Sequence, residues 1–308
     1  MMRRVLLTAA KIPAIRNLSV RLPPIRRMVD RFVAGETPEA ALDAVARIAA
    51  TGRVATIDHL GEDTTTQAAA LAATDANLRL ISLIAERGLA EVAELSLKAS
   101  AIGQALPGGH ALAQENAERI IAAAHEAGTR VTIDMEDHTT TDATLALVQE
   151  LREEFPDTGT VLQAMLHRTP SDAERWAHPG SRIRLCKGAY NEPASVAHTD
   201  KRAINASYVA CLHRLIDGGA HPMVATHDPA LIQAALDLLA EAGRPADSYE
   251  FQMLYGIRPT EQQRLADAGH TVRVYVPYGT DWYGYFMRRL AEKPANLALL
   301  GRALIGRG

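Results

Sequence analysis

Residues 114–134, QENAERIIAAAHEAGTRVTID, hold the unit whose repetition decides the fold. A helical stretch, Gln114 to Ala127, leads into the short β-branched run Val131-Thr132-Ile133, which ends on a carboxylate, Asp134. The alternation recurs on both sides. Apolar or β-branched runs stand at Val54-Ala55-Thr56-Ile57, Val92 to Leu97, Val131 to Ile133, Val161-Leu162, Ile183-Arg184-Leu185, Met223-Val224-Ala225, Phe251-Gln252-Met253-Leu254 and Val272-Arg273-Val274-Tyr275, eight in all. They begin about 20 to 40 residues apart, room for a strand, a loop, a helix and a return, and Leu78 to Arg87 is a second clear helix between them. Strict alternation predicts a parallel sheet. Eight units in about 230 residues predict a closed (β/α)8 barrel of the TIM type in preference to an open, doubly wound sheet. No GxGxxG follows any run, so a Rossmann dinucleotide site is not expected.

The chain of 308 residues is 47% apolar and 22% charged, a globular composition that excludes wholesale disorder and a polytopic membrane protein. Residues 1–50 read as an N-terminal helical extension and 51–308 as the barrel domain. Within the extension, Ile25 to Phe32 is helical in pattern, and Thr37-Pro38-Glu39 forms an N-cap, a proline at N1 and an acidic first turn leading into Ala40 to Ala50. Residues 1–31 carry eight Arg or Lys against Asp30 alone, which leaves a net −10 on the remainder. This basic arm has two readings, a solvated extension or a peripheral contact with anionic lipid at the inner face of the membrane. No apolar run reaches the roughly 18 residues of a spanning helix. Cys186 and Cys211 form no CxxC pair, consistent with a reducing, cytoplasmic setting. The negative body argues against nucleic acid.

In such a barrel only the rim at the C-terminal ends of the strands is open, so chemistry is expected there. The runs end in Asp58-His59, Lys98, Asp134 with Glu136, Gln163, Arg184 with Lys187, Thr226-His227-Asp228, Gln252 with Tyr255, and Tyr275. Lys98, Asp134 and Arg184 need partners, because an unpaired charge in an apolar strand costs several kcal/mol. Asp58, His59, Asp134, Glu136, Asp137, His138 and His227 also include metal-ligand types, which keeps a barrel metallohydrolase as a competitor. Against it, no HxH lies on the first strand and the eighth ends in Tyr275 and Pro277. After that strand, Gly279-Thr280-Asp281 caps a helix from Trp282 to Glu292 carrying Arg288-Arg289. Arg288 and Glu292 are spaced to pair along it. Adjacent arginines are ordinarily a solvated face, yet two guanidinium forks near a barrel mouth also suit a small carboxylate.

Four separated motifs, Ile133-Asp134-Met135-Glu136, Arg184-Leu185-Cys186-Lys187-Gly188-Ala189-Tyr190, Gln252-Met253-Leu254-Tyr255-Gly256 and the segment from Tyr275 to Arg-Arg-Leu-Ala-Glu at 288–292, resemble bacterial monofunctional proline dehydrogenase over roughly residues 50 to 300. The resemblance implies a distorted barrel that binds FAD, with the final helix over its mouth, and oxidation of L-proline with a quinone as the acceptor. Carried over by motif, Lys98, Arg288 and Arg289 bind the proline carboxylate, and Tyr275 and Leu254 pack on the ring. Asp134 orients Lys98 or the substrate side of the site, and Arg184 lies against the flavin. Met135, Gln163, Lys187, Gly188, Ala189, Thr226 and His227 supply further flavin contacts, and Glu292 holds an arginine in place. Cys186 departs from the valine of many relatives and reads as a packed residue. A barrel that binds a carboxylate without catalysis remains the alternative from another class.

Overall fold

The computed structural model describes residues 29–292. Helix α1 (Pro38–Ala49) begins where Thr37 Oγ1 accepts the Ala40 N–H at 3.3 Å, with Pro38 in the first turn. Then follow β1 (Val54–His59), α2 (Gln67–Glu86), β2 (Ala93–Lys98), a 3₁₀ turn (Ala99–Ile102), α3 (Gly109–Glu126), β3 (Val131–Asp134), α4 (Thr141–Glu154), β4 (Thr160–Gln163) and α5 (Thr169–Trp176). The second half comprises β5 (Arg182–Cys186), α6 (Lys201–Asp217), β6 (His221–Ala225), α7 (Pro229–Glu241), β7 (Glu250–Leu254), α8 (Pro259–Asp267), β8 (Val272–Tyr278) and α9 (Trp282–Glu292).

All eight expected strands form, and they pair in parallel in the order β3-β2-β1-β8-β7-β6-β5-β4. The ring closes between β3 and β4 at a single bridge, where Gly159 N–H donates to Val131 O and Ile133 N–H to Gly159 O, both at 2.9 Å. Helix α2 starts eleven residues before the expected Leu78, because Thr66 caps it by accepting the Ala69 N–H at 3.2 Å. By length and composition α2 could cross a membrane, unlike any uninterrupted apolar run in the sequence; here it lies on the barrel with Leu80, Ile81 and Ile84 buried in the main core. Most of the helix expected over 25–32 lies outside the described residues, and at its described end Val29 to Val33 forms a turn.

That turn continues into a strap beside the end of β8. Ala34 N–H donates to Pro277 O at 2.9 Å, and Gly279 N–H to Gly35 O at 3.0 Å. Val29, Phe32 and Val33 pack with Leu60 and with Trp282, Tyr283, Tyr285, Phe286 and Met287 of α9, a cluster separate from the main core.

The barrel interior departs from the expectation that polar residues gather at one end. Glu94, 2% exposed, sits in its lower half and accepts from Arg182 Nη2 at 2.6 Å and Thr56 Oγ1 at 3.0 Å. Arg273 Nε lies 3.6 Å from Glu94 and donates to Glu250 at 2.8 Å; Arg184 Nη2 lies 3.9 Å from Glu94. Side chains at every second position of a strand share a face, so Glu94, Ser96 and Lys98 form one inward row, and Arg182 with Arg184 another. The polar residues thus run as a column from the floor of the barrel to its mouth.

The closing seam leaves no room for a side chain. A β-carbon on Gly159 would be driven into Thr132 Oγ1 and lie 3.1 Å from Thr132 Cβ. Gly159→Ala is expected to cost about 1–3 kcal/mol by overpacking, read as a lower urea midpoint at unchanged slope; an unshifted midpoint would show that the seam absorbs a methyl group.

Candidate active site

Two ion pairs and one shared carboxylate organise the mouth. Lys98, at the end of β2 and 8% exposed, donates to both oxygens of Asp58 at 2.9 and 3.0 Å. Burial alone would lower the Lys98 pKa, but Asp58 and then Asp134 outweigh it, so the ammonium stays charged. Asp134, beside Lys98 in the β2–β3 register, accepts from Arg184 Nη1 through one oxygen and from the Tyr275 hydroxyl at 2.7 Å through the other. Arg184 also donates to Gln252 Oε1 at 2.6 Å and Ser96 Oγ at 2.9 Å, and its guanidinium stands 5.3 Å from the Tyr275 ring centroid. Burial, then the negative charge of Asp134, pushes the Tyr275 pKa well up, so its hydroxyl remains a donor.

Above these lies α9. Arg288 Nη1 and Nη2 meet the two oxygens of Glu62 at 2.8 and 3.2 Å, a fork-to-carboxylate pair between the helix and the loop after β1. Its guanidinium is 6.0 Å from the Tyr190 ring. Arg289 is buried and lies 5.1 Å from the Tyr285 ring. Lys98 and Arg288 both act electrostatically on Glu62, and Arg289 acts on Cys186 at the end of β5.

The remaining candidates ring the ends of β3 to β7. Met135 is buried, and Gln163 Nε2 donates to Glu136 O at 2.7 Å. Lys187 pairs with Asp228 at 2.8 Å; the same Asp228 caps α7 by accepting from Ala230 N–H, and its own N–H donates to Thr226 Oγ1 at 3.2 Å. His227 Nε2 accepts from Leu254 N–H at 2.9 Å. Gly188 has φ +104°, and a β-carbon there would fall 2.5 Å from Met165 Cε. Ala189, Leu254 and Tyr275 are partly exposed. Cys186 packs against the core as expected, though it is only partly buried, and burial pushes its thiol up to about 11.

Of the two roles expected for Asp134, a hydrogen bond to Lys98 is corrected: Asp134 holds Arg184 and Tyr275, while Lys98 donates to Asp58 on β1. Arg288 is held by Glu62 of the loop after β1, and the side chain of Glu292, expected to hold an arginine, lies outside the described residues. Glu62 escaped the sequence reading because it stands in a loop with no periodicity. Tyr190 was quoted within a motif but given no role; an aromatic two residues after a positive-φ glycine at a strand end was its only signal. The candidate metal ligands are dispersed, with Asp58 on Lys98, Asp134 on Arg184, Glu136 on Ser100 and His138 on Glu192. Among the described residues, no three His, Cys, Asp or Glu side chains are grouped to hold a metal.

A family model described as proline dehydrogenase matches residues 41–302. Proline dehydrogenase 1 of Bacillus subtilis subsp. natto is 42% identical over 275 residues, covering 89% of this chain and 90% of the relative. Proline dehydrogenase of Deinococcus radiodurans is 38% identical over 306 residues, covering 98% and 97%. Among solved structures, proline utilization A from Bdellovibrio bacteriovorus, inactivated by N-propargylglycine, superposes with a TM-score of 0.80 at 22% identity. The match covers 92% of this chain and 36% of that one, a likeness of fold.

The Arg288–Glu62 pair has a defined pH dependence. Burial would raise the Glu62 pKa, but Arg288 outweighs it and the net shift is downward. A carboxyl whose folded pKa is depressed contributes stability above its unfolded value, about 4.3, and loses it as pH falls through the folded value. Glu62→Gln is therefore expected to cost about 1–3 kcal/mol at neutral pH, with the gap to the parent closing on acidification. Urea titrations at several pH values check this, and a gap that is constant with pH would remove the ion pair as its cause.

Proposed function

The chain belongs to the proline dehydrogenase family, and we propose that it oxidises L-proline to 1-pyrroline-5-carboxylate, the first step of proline catabolism, with FAD as the bound oxidant and a quinone as the acceptor that restores it. The observation that carries this reading is the pairing of Arg288 of α9 with Glu62, above Lys98 at the end of β2 and the Asp134–Tyr275 pair, with Arg289 following Arg288 on the same helix. Three cations from β2 and α9 suit a small acid, and a ring of Tyr275, Leu254 and Tyr190 suits the apolar body of proline.

The residues at the ends of β4 to β6 fit FAD by their chemistry. Gln163, Lys187, Thr226 and His227 supply hydrogen-bonding groups at the strand ends, and Gly188, packed on Met165 at φ +104°, carries the turn after β5 between them. The buried guanidinium of Arg184, held by Asp134, Ser96 and Gln252, is a cation suited to a cofactor that gains negative charge. When bound, FAD accepts a hydride from the C–H beside the ring nitrogen of proline.

The chain's own residues bind and orient. Lys98 spends two N–H groups on Asp58 and has a third for the substrate carboxylate. The N–H groups of Arg288 that are not spent on Glu62, together with those of Arg289, fix that carboxylate's plane, and with it which ring carbon reaches the oxidant. Asp134 accepts the Tyr275 O–H and so holds the phenol as a wall of the ring pocket. The packed face of α9, with Trp282 and Phe286 against the strap, keeps water from the reacting carbon. As the imine forms, the nitrogen's proton passes to water.

Purified protein is expected to be yellow and to bleach when L-proline is added without oxygen, recovering when a short-chain quinone follows. An unchanged spectrum from loaded enzyme would sink the reaction, and bleaching without recovery would remove the quinone. Arg288→Lys and Arg289→Lys each lose a fork and are expected to weaken proline binding by about 1–3 kcal/mol with flavin retained; undiminished binding in both would mean that the carboxylate lies elsewhere.

A further inference from the structure

Three loops of the mouth meet at Ser100, in the 3₁₀ turn directly after Lys98. Ser100 is 4% exposed. Its N–H donates to Glu136 Oε1 at 3.1 Å and its hydroxyl to Glu136 Oε2 at 2.6 Å. The serine proton is thus directed to Glu136 and its oxygen is left to accept, as it does from Asp63 N–H at 3.1 Å. Ser100 O takes the Thr64 hydroxyl at 2.8 Å and N–H at 3.3 Å, while Glu136 O takes Gln163 Nε2 at 2.7 Å. Asp63 sits at φ +56°, a backbone state that non-glycine residues hold only where their surroundings impose it. The residue before it is Glu62, whose carboxylate meets the Arg288 fork.

We propose that Ser100 and Glu136 are positioning residues for the substrate site: the Asp63 N–H, Ser100 O–H and Glu136 carboxylate form one relay that fixes the turn after Glu62, and so sets where Arg288 presents its fork. This rests on the reading that the Arg288 N–H groups not spent on Glu62 receive the proline carboxylate. The direction of the relay matters as well as its presence. An amide at position 136 offers an N–H where Oε2 stood, which obliges the Ser100 hydroxyl to accept from it and to compete with Asp63 for the same oxygen. Neither residue need touch substrate, since the effect travels through Glu62.

The test is a double-mutant cycle on flavin-loaded protein with Ser100→Ala, Glu62→Gln and the pair. Binding of cyclopentanecarboxylate, the ring and acid of proline without its amine, is measured by calorimetry, and KM and kcat for proline separately. Ser100→Ala is expected to weaken carboxylate binding and raise KM about 10-fold, with kcat within about 2-fold, and to add less than about 2-fold once Glu62 is already Gln. Ser100→Thr, which keeps the hydroxyl, is expected to bind within about 2-fold of the parent. Equal losses in both backgrounds, unchanged binding in Ser100→Ala, or Ser100→Thr as impaired as Ser100→Ala would each overturn the proposal. Should Ser100→Ala fail to fold, Glu136→Gln replaces it in the same cycle with the same expectations. Carboxylate affinity is read without turnover, so an additive cycle overturns the positioning role alone, whereas a flavin that proline does not reduce overturns the reaction.

Discussion

Glu94 is the charge on which the barrel's interior depends. It has no water to solvate it and lies among three guanidinium groups, those of Arg182, Arg273 and Arg184. Burial would push its carboxyl up, and the arginines outweigh that and hold it low. Removing one member of such a set is expensive, several kcal/mol, because the others are left buried without compensation. A purely apolar filling could be as stable, so the arrangement has to be understood by what it carries. Arg273 and Glu250 hold Gln252, Gln252 holds Arg184, and Arg184 holds Asp134. Each side chain's position is fixed by the one beneath it, and the last of them lies at the mouth.

The fold was legible because every strand is a short run bounded by helical sequence, and strand geometry turns that order into a ring. Helix starts were less legible: α2 is Ala-rich and weakly amphipathic over its first turns, and only the Thr66 cap marks where it begins. At the site, Lys98, Asp134, Arg184 and Tyr275 could be found since each is polar at the end of an apolar run. Their partners could not, because pairing is decided by which strands are neighbours and how they are staggered. Asp134 is the registered neighbour of Lys98, yet its carboxylate is taken by Arg184 and Tyr275 from across the barrel, which leaves Lys98 to Asp58.

A usable signal for the interior was nevertheless present. Glu94, Ser96 and Lys98, then Arg182 and Arg184, then Glu250 and Gln252, then Arg273 and Tyr275 all recur with the strand period of two. Read as a pattern on one face, they describe a polar lumen; read as individual strand ends, they describe only a rim. Glu62 and Ser100 belong to irregular backbone, where no periodicity constrains a side chain, and only their hydrogen bonds reveal them.

The strap formed by residues 29–35 has a consequence for the order in which the molecule can be completed. Phe32 and Phe286 stand 6.5 Å apart, near opposite ends of the described chain. During synthesis the early segment must wait, with its apolar side chains uncovered, until α9 has left the ribosome, so this cluster is among the last contacts of the described residues that can assemble.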